Sequence, residues 1–263
     1  MIFTGLQGVP DFICSEYASK KAKYCLLIPI INESGRINKE LNRAKKSGVD
    51  AIVDIIICDG GSTDGCADTD FLTSNGVNTL LVKTGPGKQG AQLRMGLWWA
   101  LERGYEGFIT IDGNNKDSIE DVPGFIEKLD SGYDFIQGSR FIKGGRAVNT
   151  PLIRWLAVNF IHAPVISLTA KKRFTDTTNA YRAYSKKYIT HPDVQPFRDI
   201  FMTYELLAYL SVKASRLGLK TCEIPVTREY PKNEKNPTKI KGFHGNNQLL
   251  KILFANARGK YDV

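Results

Sequence analysis

Acidic and amide side chains follow three apolar segments of this chain, each at the point where the apolar run ends. Asp112, Gly113 and Asn114 follow residues 107–111, Asp59 follows residues 52–58, and Asn32 and Glu33 follow residues 24–29. A carboxylate at the exposed end of a buried strand can face a ligand. The spacing therefore indicates a ligand site assembled from three loops, with Asp112 as its first candidate residue.

The elements that position these side chains are predicted to be buried parallel strands. The apolar runs are continuous and alternate with helical patterns, as expected where helices cover both faces of a parallel sheet. Ligands of open α/β sheets bind at the carboxyl ends of the strands, where the three loops would meet. Asp112 alone could instead cap a helix that begins near Ile119. The three loops together favour a nucleotide-binding α/β domain.

These motifs resemble the family 2 glycosyltransferases with the GT-A fold, and within them the dolichol-phosphate mannose synthase-like branch. The resemblance covers nearly all of the chain after about Lys23. It implies a Rossmann-like three-layer α/β/α sandwich with a mainly parallel mixed sheet. Residues 1–22 are then expected to form a short N-terminal extension. Residues 23–263 would form a single domain, with a nucleotide-sugar half (about 23–140) and an acceptor half (about 141–263).

The resemblance implies donor-binding roles for the first two loops. Pro29, Asn32 and Glu33 match the family's opening motif, whose loop surrounds the nucleotide base and ribose. Asp59 begins a segment that matches the family's Asp-Asp-Gly-Ser-x-Asp motif, with Gly60 in place of the second Asp. The expected base contact is therefore Asp59.

At Asp112 the family pattern is Asp-x-Asp, whose acids hold a divalent metal on the diphosphate of the nucleotide sugar. Here Asn114 replaces the second acid, with Gly113 between the two ligands. An amide oxygen is a metal ligand of lower charge, so weaker binding of Mg2+ or Mn2+, or help from Asp117, is expected. Direct contact of Asn114 with the sugar is the alternative to a metal role.

A glycine-rich loop, residues 85–90, precedes a helical pattern that contains Arg94. Glycines before a helix N-terminus let the backbone approach a phosphate, and similar Gly-Lys-Gly-x-x-x-Arg runs occur here in the family. Lys88 and Arg94 are therefore predicted to lie near the donor. A solvated basic helix face is the alternative.

Further matches imply residues near the acceptor and the leaving diphosphate. Arg140 lies in a Gly-Ser-Arg motif and would reach phosphate oxygens, to which a guanidinium is well suited. Asp176 and Arg182 lie in a segment similar to one in polyprenyl-phosphate sugar transferases, and a purely structural role for Arg182 is equally open. Lys239 resembles the lysine of a Ser-Lys-Leu loop that closes over the diphosphate, with a solvated lysine as the alternative.

The resemblance implies an inverting enzyme that transfers a hexose from a nucleoside diphosphate sugar to polyprenyl phosphate. Such an acceptor is already ionised, whereas a sugar hydroxyl in polysaccharide or glycolipid synthesis would need a general base. Glu205 lies where sugar-acceptor members place that base, or else it holds the acceptor pocket together. Asn114 and Gly60 motivate another alternative, a nucleotide-binding protein that has lost catalysis.

Charge divides the chain into an acidic first part and a basic second part. Residues 1–140 contain 15 Lys and Arg against 19 Asp and Glu, net −4, and residues 141–263 contain 21 against 8, net +13, which together give +9. Basic surfaces attract lipid phosphates, anionic membranes or nucleic acid. We find no nucleic-acid recognition motif, so a phosphate-bearing acceptor or an anionic membrane is the expected partner.

No apolar run approaches the roughly 20 residues that span a bilayer, so an integral membrane protein is not expected. Residues 155–168 are apolar with interruptions at Asn159, His162 and Pro164, which indicates an interfacial helix or a buried core helix. The five cysteines form no Cys-x-x-Cys pair, and the N-terminus lacks a secretory pattern. A cytoplasmic protein is predicted, with peripheral contact at the inner face of the membrane as an open addition.

Overall fold

The computed structural model describes residues 1–232 and 242–262. Its strands are β1 (Ile2–Phe3), β2 (Phe12–Glu16), β3 (Tyr24–Ile30), β4 (Asp54–Asp59), β5 (Val77–Lys83), β6 (Gly107–Thr110), β7 (Phe135–Ser139), β8 (Arg146–Val148), β9 (Arg182–Ser185), β10 (Thr221–Pro225) and β11 (Thr227–Glu229). Its α-helices are α1 (Arg36–Ser47), α2 (Val49–Ile52), α3 (Thr69–Ser74), α4 (Gln89–Glu102), α5 (Val122–Asp130), α6 (Leu152–Ala157), α7 (Ala163–Ala170), α8 (Lys186–Ile189), α9 (Glu205–Arg216) and α10 (Gly242–Ala257). A 3-10 helix (Ile119–Asp121) leads into α5, and a π-helix (Val158–His162) joins α6 to α7.

The strands of the described residues form a nine-stranded mixed sheet and a two-stranded ribbon. The sheet order is β1-β2-β5-β4-β3-β6-β9-β7-β10, and β8 pairs with β11. The neighbours β5, β4, β3 and β6 are parallel, as are β7 and β10. β9 is antiparallel to β6 and β7, and β2 is antiparallel to β1 and β5. The predicted mixed sheet is confirmed, and its parallel part is centred on β3 and β4.

β3 and β4 form the centre of the sheet because apolar side chains cover both of their faces. Successive side chains of a strand point to opposite faces. Leu27 of β3 therefore packs in a cluster with Trp99 of α4, whereas Leu26 packs in a second cluster with Leu41 of α1. Helices thus cover both faces of the sheet, which confirms the predicted three-layer α/β/α architecture.

Two segments of the first 22 residues, β1 and β2, are strands of the nine-stranded sheet. β2 pairs with β5 from Phe12 opposite Lys83 to Glu16 opposite Thr79. Phe12 is fully buried, and its ring stacks on Phe3 with the ring centroids 4.8 Å apart. These aromatic side chains make the N-terminal segment part of the core.

α6, the π-helix and α7 form one continuous helix of 19 residues, Leu152–Ala170, with a mean hydropathy of 1.4. By length and composition alone this helix could cross a membrane, so the expectation that no apolar segment reaches that length is wrong. The π-helix contains Asn159 and His162, and Pro164, the second residue of α7, follows it directly. The sequence interruptions therefore do not end the helix.

One side of this helix packs on the protein and the other faces solvent. The buried side, which lies against α9 and α10, consists of Val158, Ala163, Ile166 and Ala170. The exposed side, which we call the apolar face, consists of Leu152, Ile153, Trp155, Leu156, Phe160, Ile161 and Leu168. Ile153 is 74% exposed and Leu168 is 80% exposed. Large exposed apolar surfaces are often interaction sites, so the apolar face is a candidate for one.

Candidate active site

The carboxyl ends of β4, β3 and β6 lie side by side at one edge of the sheet. Parallel pairing places Ile30 opposite Asp59, and β6 pairs with the other side of β3. Gln92 of α4 joins two of these ends, because its Nε2 donates hydrogen bonds to the carbonyl oxygens of Ile30 (2.6 Å) and Cys58 (2.7 Å). The three polar loops therefore begin at adjacent positions, as the sequence predicts.

The carboxylate of Asp112 accepts hydrogen bonds on both of its oxygens. Oδ1 accepts one from Nε2 of Gln89 (3.0 Å), and Oδ2 accepts one from Nη2 of Arg228 (3.1 Å). Burial raises the pKa of Asp112, but Arg228 and Lys116 lower it by more, so the pKa lies below its ordinary value. Since the side chain is 21% exposed, a ligand can reach an ionised carboxylate here.

Gly113 lets this loop pass close to β3. A Cβ at this position would lie 2.5 Å from Cγ2 of Ile30 and 3.0 Å from Cγ2 of Ile28. A side chain would therefore push the loop away from the strand. The close approach sets the positions of Asp112 and Asn114, while a direct contact of Gly113 with the donor remains a prediction.

Arg228 of β11 joins Asp112 to Asp117, the second acid of the same loop. Its Nη1 forms an ion pair with Oδ2 of Asp117, and the two residues also form an antiparallel backbone bridge. Burial raises the pKa of Asp117 to about 6. We did not predict Arg228 from the sequence, because it lies 116 positions from Asp112 and in none of the motifs above.

Asp112 and Asn114 are the two side chains of this loop that could hold a divalent cation, and this role remains a prediction. Nδ2 of Asn114 lies 3.4 Å from Oδ2 of Asp112, and rotation of the amide would turn its oxygen to a cation at the same place. Among the described residues, no group of three or more His, Cys, Asp or Glu side chains is placed to hold a metal. Mg2+ commonly takes one or two carboxylates and completes its coordination with water and substrate phosphates. Asp117, predicted to help, is held by Arg228.

Asn32 and Asp59 organise the first two loops. Oδ2 of Asp59 accepts a hydrogen bond from the backbone N–H of Ser62 (2.9 Å), and its Oδ1 accepts one from the Ser62 hydroxyl (2.5 Å). Oδ1 of Asn32 accepts a hydrogen bond from the backbone N–H of Thr63 (2.8 Å). The two loops are thereby tied to each other, while base binding by Asp59 and Asn32 remains a prediction.

The other predicted donor positions of these loops have local contacts of their own. Pro29 is half-buried within β3, and the buried Glu33 is ion-paired with Nε of Arg36 (2.5 Å). A Cβ at Gly60 would lie 3.1 Å from Nε2 of Gln92. A side chain at Gly60 would thus require that amide to shift by a few tenths of an ångström.

The glycine-rich loop packs against the segment that precedes α9. A Cβ at Gly90 would lie 2.6 Å from the carbonyl oxygen of Phe201 and 2.8 Å from that of Thr203. The backbone N–H of Lys88 donates to the carbonyl oxygen of Met202 (2.8 Å), and the Lys88 side chain is exposed. The close backbone approach therefore serves protein packing. A contact between Lys88 and the donor remains a prediction.

Arg94 contacts the N-terminal segment and not the acidic loop. Its guanidinium is 1% exposed, and Nη1 donates hydrogen bonds to the carbonyl oxygen of Gly8 and to Oδ1 of Asp199 (2.9 Å). These contacts tie α4 to two loops. These contacts favour a structural role for Arg94, while the donor contact remains a prediction.

Arg140 and Asp176 bind each other. Nε of Arg140 donates to Oδ2 of Asp176 (2.6 Å) and Nη2 to Oδ1 (2.9 Å), and the side chains are 1% and 0% exposed. Burial lowers the pKa of Arg140, but Asp176 raises it by more. The pair is therefore a buried ionic contact, while contacts of Arg140 with phosphate and of Asp176 with the acceptor remain predictions.

Arg182 is also used within the protein. Its three nitrogens donate to the carbonyl oxygens of Asn179 (2.9 Å), Leu207 (2.7 Å) and Thr177 (2.9 Å). The side chain is 1% exposed. These contacts favour the structural alternative for Arg182 over acceptor binding.

Glu205 is the first residue of α9, and its carboxylate binds Thr203, two residues earlier in the chain. Oε2 accepts a hydrogen bond from the backbone N–H of Thr203 (2.5 Å), and Oε1 accepts one from its hydroxyl (2.7 Å). This geometry fits the alternative in which Glu205 holds the pocket wall together. Lys239, the predicted lysine near the diphosphate, lies outside the described residues.

Tyr230 links the acidic loop to the start of the exposed apolar helix. Nη1 of Arg154 in α6 lies 3.3 Å from the Tyr230 hydroxyl. Nζ of Lys116 lies 5.0 Å from the centroid of the Tyr230 ring, and the guanidinium carbon of Arg228 lies 5.8 Å from it. Burial raises the pKa of Tyr230, but Arg228, Arg154 and Arg140 lower it by more. Lys116, Arg154 and Arg228, which we call the positive cluster, were not assigned this role from the sequence, and their charges would attract an anion.

Comparison with curated proteins finds several relatives, among them polyprenyl-phosphate mannosyltransferases. The chain is 27% identical over 219 residues to the undecaprenyl-phosphate mannosyltransferase of Micrococcus luteus, covering 82% of this chain and 86% of the relative. It is 26% identical over 248 residues to the polyprenol monophosphomannose synthase of Mycolicibacterium smegmatis, covering 90% and 88%. No protein-family model matches the chain. The predicted resemblance to the polyprenyl-phosphate branch is confirmed.

Comparison with solved structures confirms the predicted fold. The glucosyl-3-phosphoglycerate synthase of Mycobacterium tuberculosis, in complex with Mn2+, UDP and phosphoglyceric acid, superposes with a TM-score of 0.62 at 17% identity. The superposition covers 89% of this chain and 78% of that one. The shared architecture is the GT-A fold.

Proposed function

We propose that this chain, a glycosyltransferase with the GT-A fold that is similar to polyprenyl-phosphate mannosyltransferases, transfers a hexose from a nucleoside diphosphate sugar to the phosphate of a polyprenyl phosphate. The observation that carries the acceptor class is the contact between Arg154 and Tyr230. Arg154 lies between the exposed Ile153 and Trp155 of the apolar face, yet its guanidinium is part of the positive cluster beside the acidic loop. A lipid whose apolar chain lies along this helix would therefore place its phosphate beside the acidic loop.

The residues of the donor side have complementary roles. Asp112 and Asn114 would hold a divalent metal, which when bound neutralises charge on the leaving diphosphate. Gln89 orients the Asp112 carboxylate through its 3.0 Å hydrogen bond. Asn32 and Asp59 keep the first two loops in one arrangement for the nucleotide. Mannose is the first donor sugar to test, because the curated relatives are named as mannosyltransferases.

A phosphate acceptor needs positive charge in the site to hold it, and it does not need a general base. A phosphate acceptor is ionised at neutral pH, so its oxygen can attack the anomeric carbon directly while the sugar–diphosphate bond breaks. Arg154, which contacts Tyr230 beside the acidic loop, would hold that phosphate in line with the donor. The products are a polyprenyl phosphate sugar, inverted at the anomeric carbon, and a nucleoside diphosphate.

The test of this function is a transfer assay with a panel of nucleoside diphosphate hexoses. Undecaprenyl phosphate and a sugar acceptor with free hydroxyls are offered separately, each with Mn2+ or with a chelator. We expect a labelled lipid product with the first acceptor. Transfer only to the hydroxyl acceptor would favour the alternative in polysaccharide or glycolipid synthesis. Absence of transfer to both, with nucleotide binding retained, would favour the degenerate binding protein.

Glu205→Gln separates the two acceptor classes. Glutamine keeps an oxygen to accept one of the Thr203 hydrogen bonds, and no base is needed for a phosphate. We therefore expect kcat for transfer to polyprenyl phosphate to fall by less than about fivefold, whereas loss of a general base costs about 10²–10⁴-fold. A fall in kcat of about 10²–10⁴-fold, with an unfolding midpoint like that of wild type, would identify Glu205 as the general base.

The apolar face is proposed to bind the membrane surface. The opposite side of the same helix packs on α9 and α10, so the helix lies on the protein and presents the apolar face to the lipid. Lys171, Lys172 and Arg173 follow it directly and would contact anionic headgroups. Peripheral membrane binding is thus proposed in addition to catalysis.

Phe160→Glu in the apolar face is expected to weaken binding to anionic vesicles by about tenfold or more. Phe160 is 67% exposed, so a charge there costs little in the free protein but opposes insertion into the interface, where the lost ring alone contributes about 1.5–3 kcal/mol. Sedimentation with vesicles that contain phosphatidylglycerol measures the effect. Ile2→Glu, 76% exposed on β1, is the matched control and should sediment like the wild type. Equal binding of both variants to the vesicles would show that the helix is not the part of the protein that contacts the membrane.

A further inference from the structure

Arg228 lies between the two carboxylates of the acidic loop and engages both. Nη1 is paired with Oδ2 of Asp117, and Nη2 lies 3.1 Å from Oδ2 of Asp112. The side chains of Arg228 and Asp117 are 7% and 0% exposed, whereas Asp112 is 21% exposed. Of these three groups, Asp112 is therefore the one that an incoming ligand can reach.

A cation that approaches Asp112 meets a carboxylate that is already engaged. Oδ1 is bound by Gln89, and Oδ2 is bound by Arg228, with Nδ2 of Asn114 at 3.4 Å. A divalent cation would have to share Oδ2 with a guanidinium or displace it. Two positive groups on one oxygen repel strongly in a partly buried site, where the effective dielectric constant is well below that of water. Asp112 in this state is a poor ligand for a metal that arrives alone.

The backbone holds Arg228 in place independently of Asp112. The N–H of Ser118 donates to the carbonyl oxygen of Thr227 (2.9 Å), and the N–H of Glu229 donates to that of Lys116 (2.8 Å). Together with the ion pair to Asp117, these bonds fix β11 to the acidic loop. Arg228 can therefore release Asp112 without leaving the site.

We propose that Arg228 is a positioning residue that holds Asp112 until the donor diphosphate arrives, so that metal and diphosphate bind together. The diphosphate is an anion that takes the Nη2 hydrogen bond of Arg228, and Asp112 is then free to bind the metal carried on the same diphosphate. Metal and diphosphate binding are thereby positively coupled, with coupling expected in the usual range of about 5–150-fold. This inference rests on the proposed function, because it assigns an order of events to the same site.

Binding of Mn2+ to the nucleotide-free protein tests the proposal without any transfer reaction. Free Mn2+ is measured by electron paramagnetic resonance during titration of wild type, Arg228→Gln and Arg228→Lys. We expect Arg228→Gln to bind Mn2+ about tenfold more tightly than wild type, because the competing charge is gone. Arg228→Lys, whose ammonium is a point charge that cannot bridge both carboxylates, should give an intermediate affinity. Should Arg228→Gln not fold by circular dichroism, the folded lysine variant carries the test.

Arg43→Gln is the matched control for charge removal near the same loop. Nη1 of Arg43 donates to Oδ1 of Asn115 (3.1 Å) and to the carbonyl oxygen of Asp117 (3.3 Å), and the residue does not bond to Asp112. Its Mn2+ affinity should stay within about twofold of wild type. Adding Asp112→Asn to Arg228→Gln should remove the gained affinity.

Two results would overturn the proposal. One is wild-type Mn2+ affinity in the folded Arg228 variants, and the other is equal tightening in Arg43→Gln, which would indicate a general charge effect. Because neither donor nor acceptor is present, a failure here leaves the transfer activity standing. Conversely, a protein with the expected Mn2+ pattern and no transfer would refute only the proposed function.

Discussion

Asp112→Asn is expected to lower the rate of sugar transfer by about 10²–10³-fold, the loss typical of removing one electrostatic group that acts on charge in the transition state. The substitution keeps the size of the side chain and can preserve the hydrogen bond from Gln89. It removes the negative charge that would hold the metal on the diphosphate. The loss should therefore appear in kcat/KM of a transfer assay, with the unfolding midpoint nearly unchanged.

Asp130→Asn is the control for this variant. Asp130 is an exposed acid that pairs with Lys23 at the surface (2.9 Å), outside the acidic loop, so the same chemical change there should leave transfer unaffected. Restoration of the Asp112→Asn rate by higher Mn2+ would indicate that the loss was of metal affinity alone. Turnover within threefold of wild type at all metal concentrations would contradict the assignment of Asp112 as the metal anchor.

Asp176→Asn is expected to lower the free energy of unfolding by about 3–5 kcal/mol, as is usual when one partner of a buried ion pair is removed. Arg140 would keep its charge inside the protein, at 1% exposure, without a carboxylate to balance it. The loss is measured by urea denaturation followed by circular dichroism. It would be a large fraction of the stability of a typical domain.

Two comparisons show whether charge is the cause. Glu16→Gln removes a carboxylate from the half-exposed pair with Arg103 (2.6 Å) and should cost no more than about 1 kcal/mol. The double variant Arg140→Met, Asp176→Leu removes both charges and should recover part of the loss. If Asp176→Asn unfolds like wild type, the pair is not a stabilising contact, and the binding roles predicted for Arg140 and Asp176 gain support.

The sequence predicted the centre of the fold and the place of the site. Continuous apolar runs led to β3, β4 and β6, and parallel pairing requires their polar ends to meet, so the neighbourhood of Asn32, Asp59 and Asp112 followed. Glycine at position 113 likewise fits a close backbone approach. These properties depend on local pattern and on general rules for parallel sheets.

The partners of the arginines were not predictable in the same way. A motif identifies an arginine near a phosphate-binding loop, but it does not distinguish a ligand contact from a buried pair. Arg140 finds Asp176 36 positions away, and Arg94 finds Asp199 105 positions away. Arg228 reaches Asp112 only because β11 lies beside the acidic loop. Such contacts depend on tertiary packing, which the periodicity of the sequence does not predict.

The π-helix at Val158–His162 sets how the first part of the exposed helix, which contains Arg154, is rotated about the helix axis relative to the last part, which contains Ile166. Each residue turns an α-helix by about 100°, so one residue more or fewer between Arg154 and Ile166 would rotate one end against the other by that amount. With Ile166 held in the core against α9, such a change would swing Arg154 away from Tyr230 and turn part of the apolar face towards the protein. The number of residues in the π-helix, more than their chemical type, therefore sets whether the apolar face and the positive cluster can serve the same proposed acceptor.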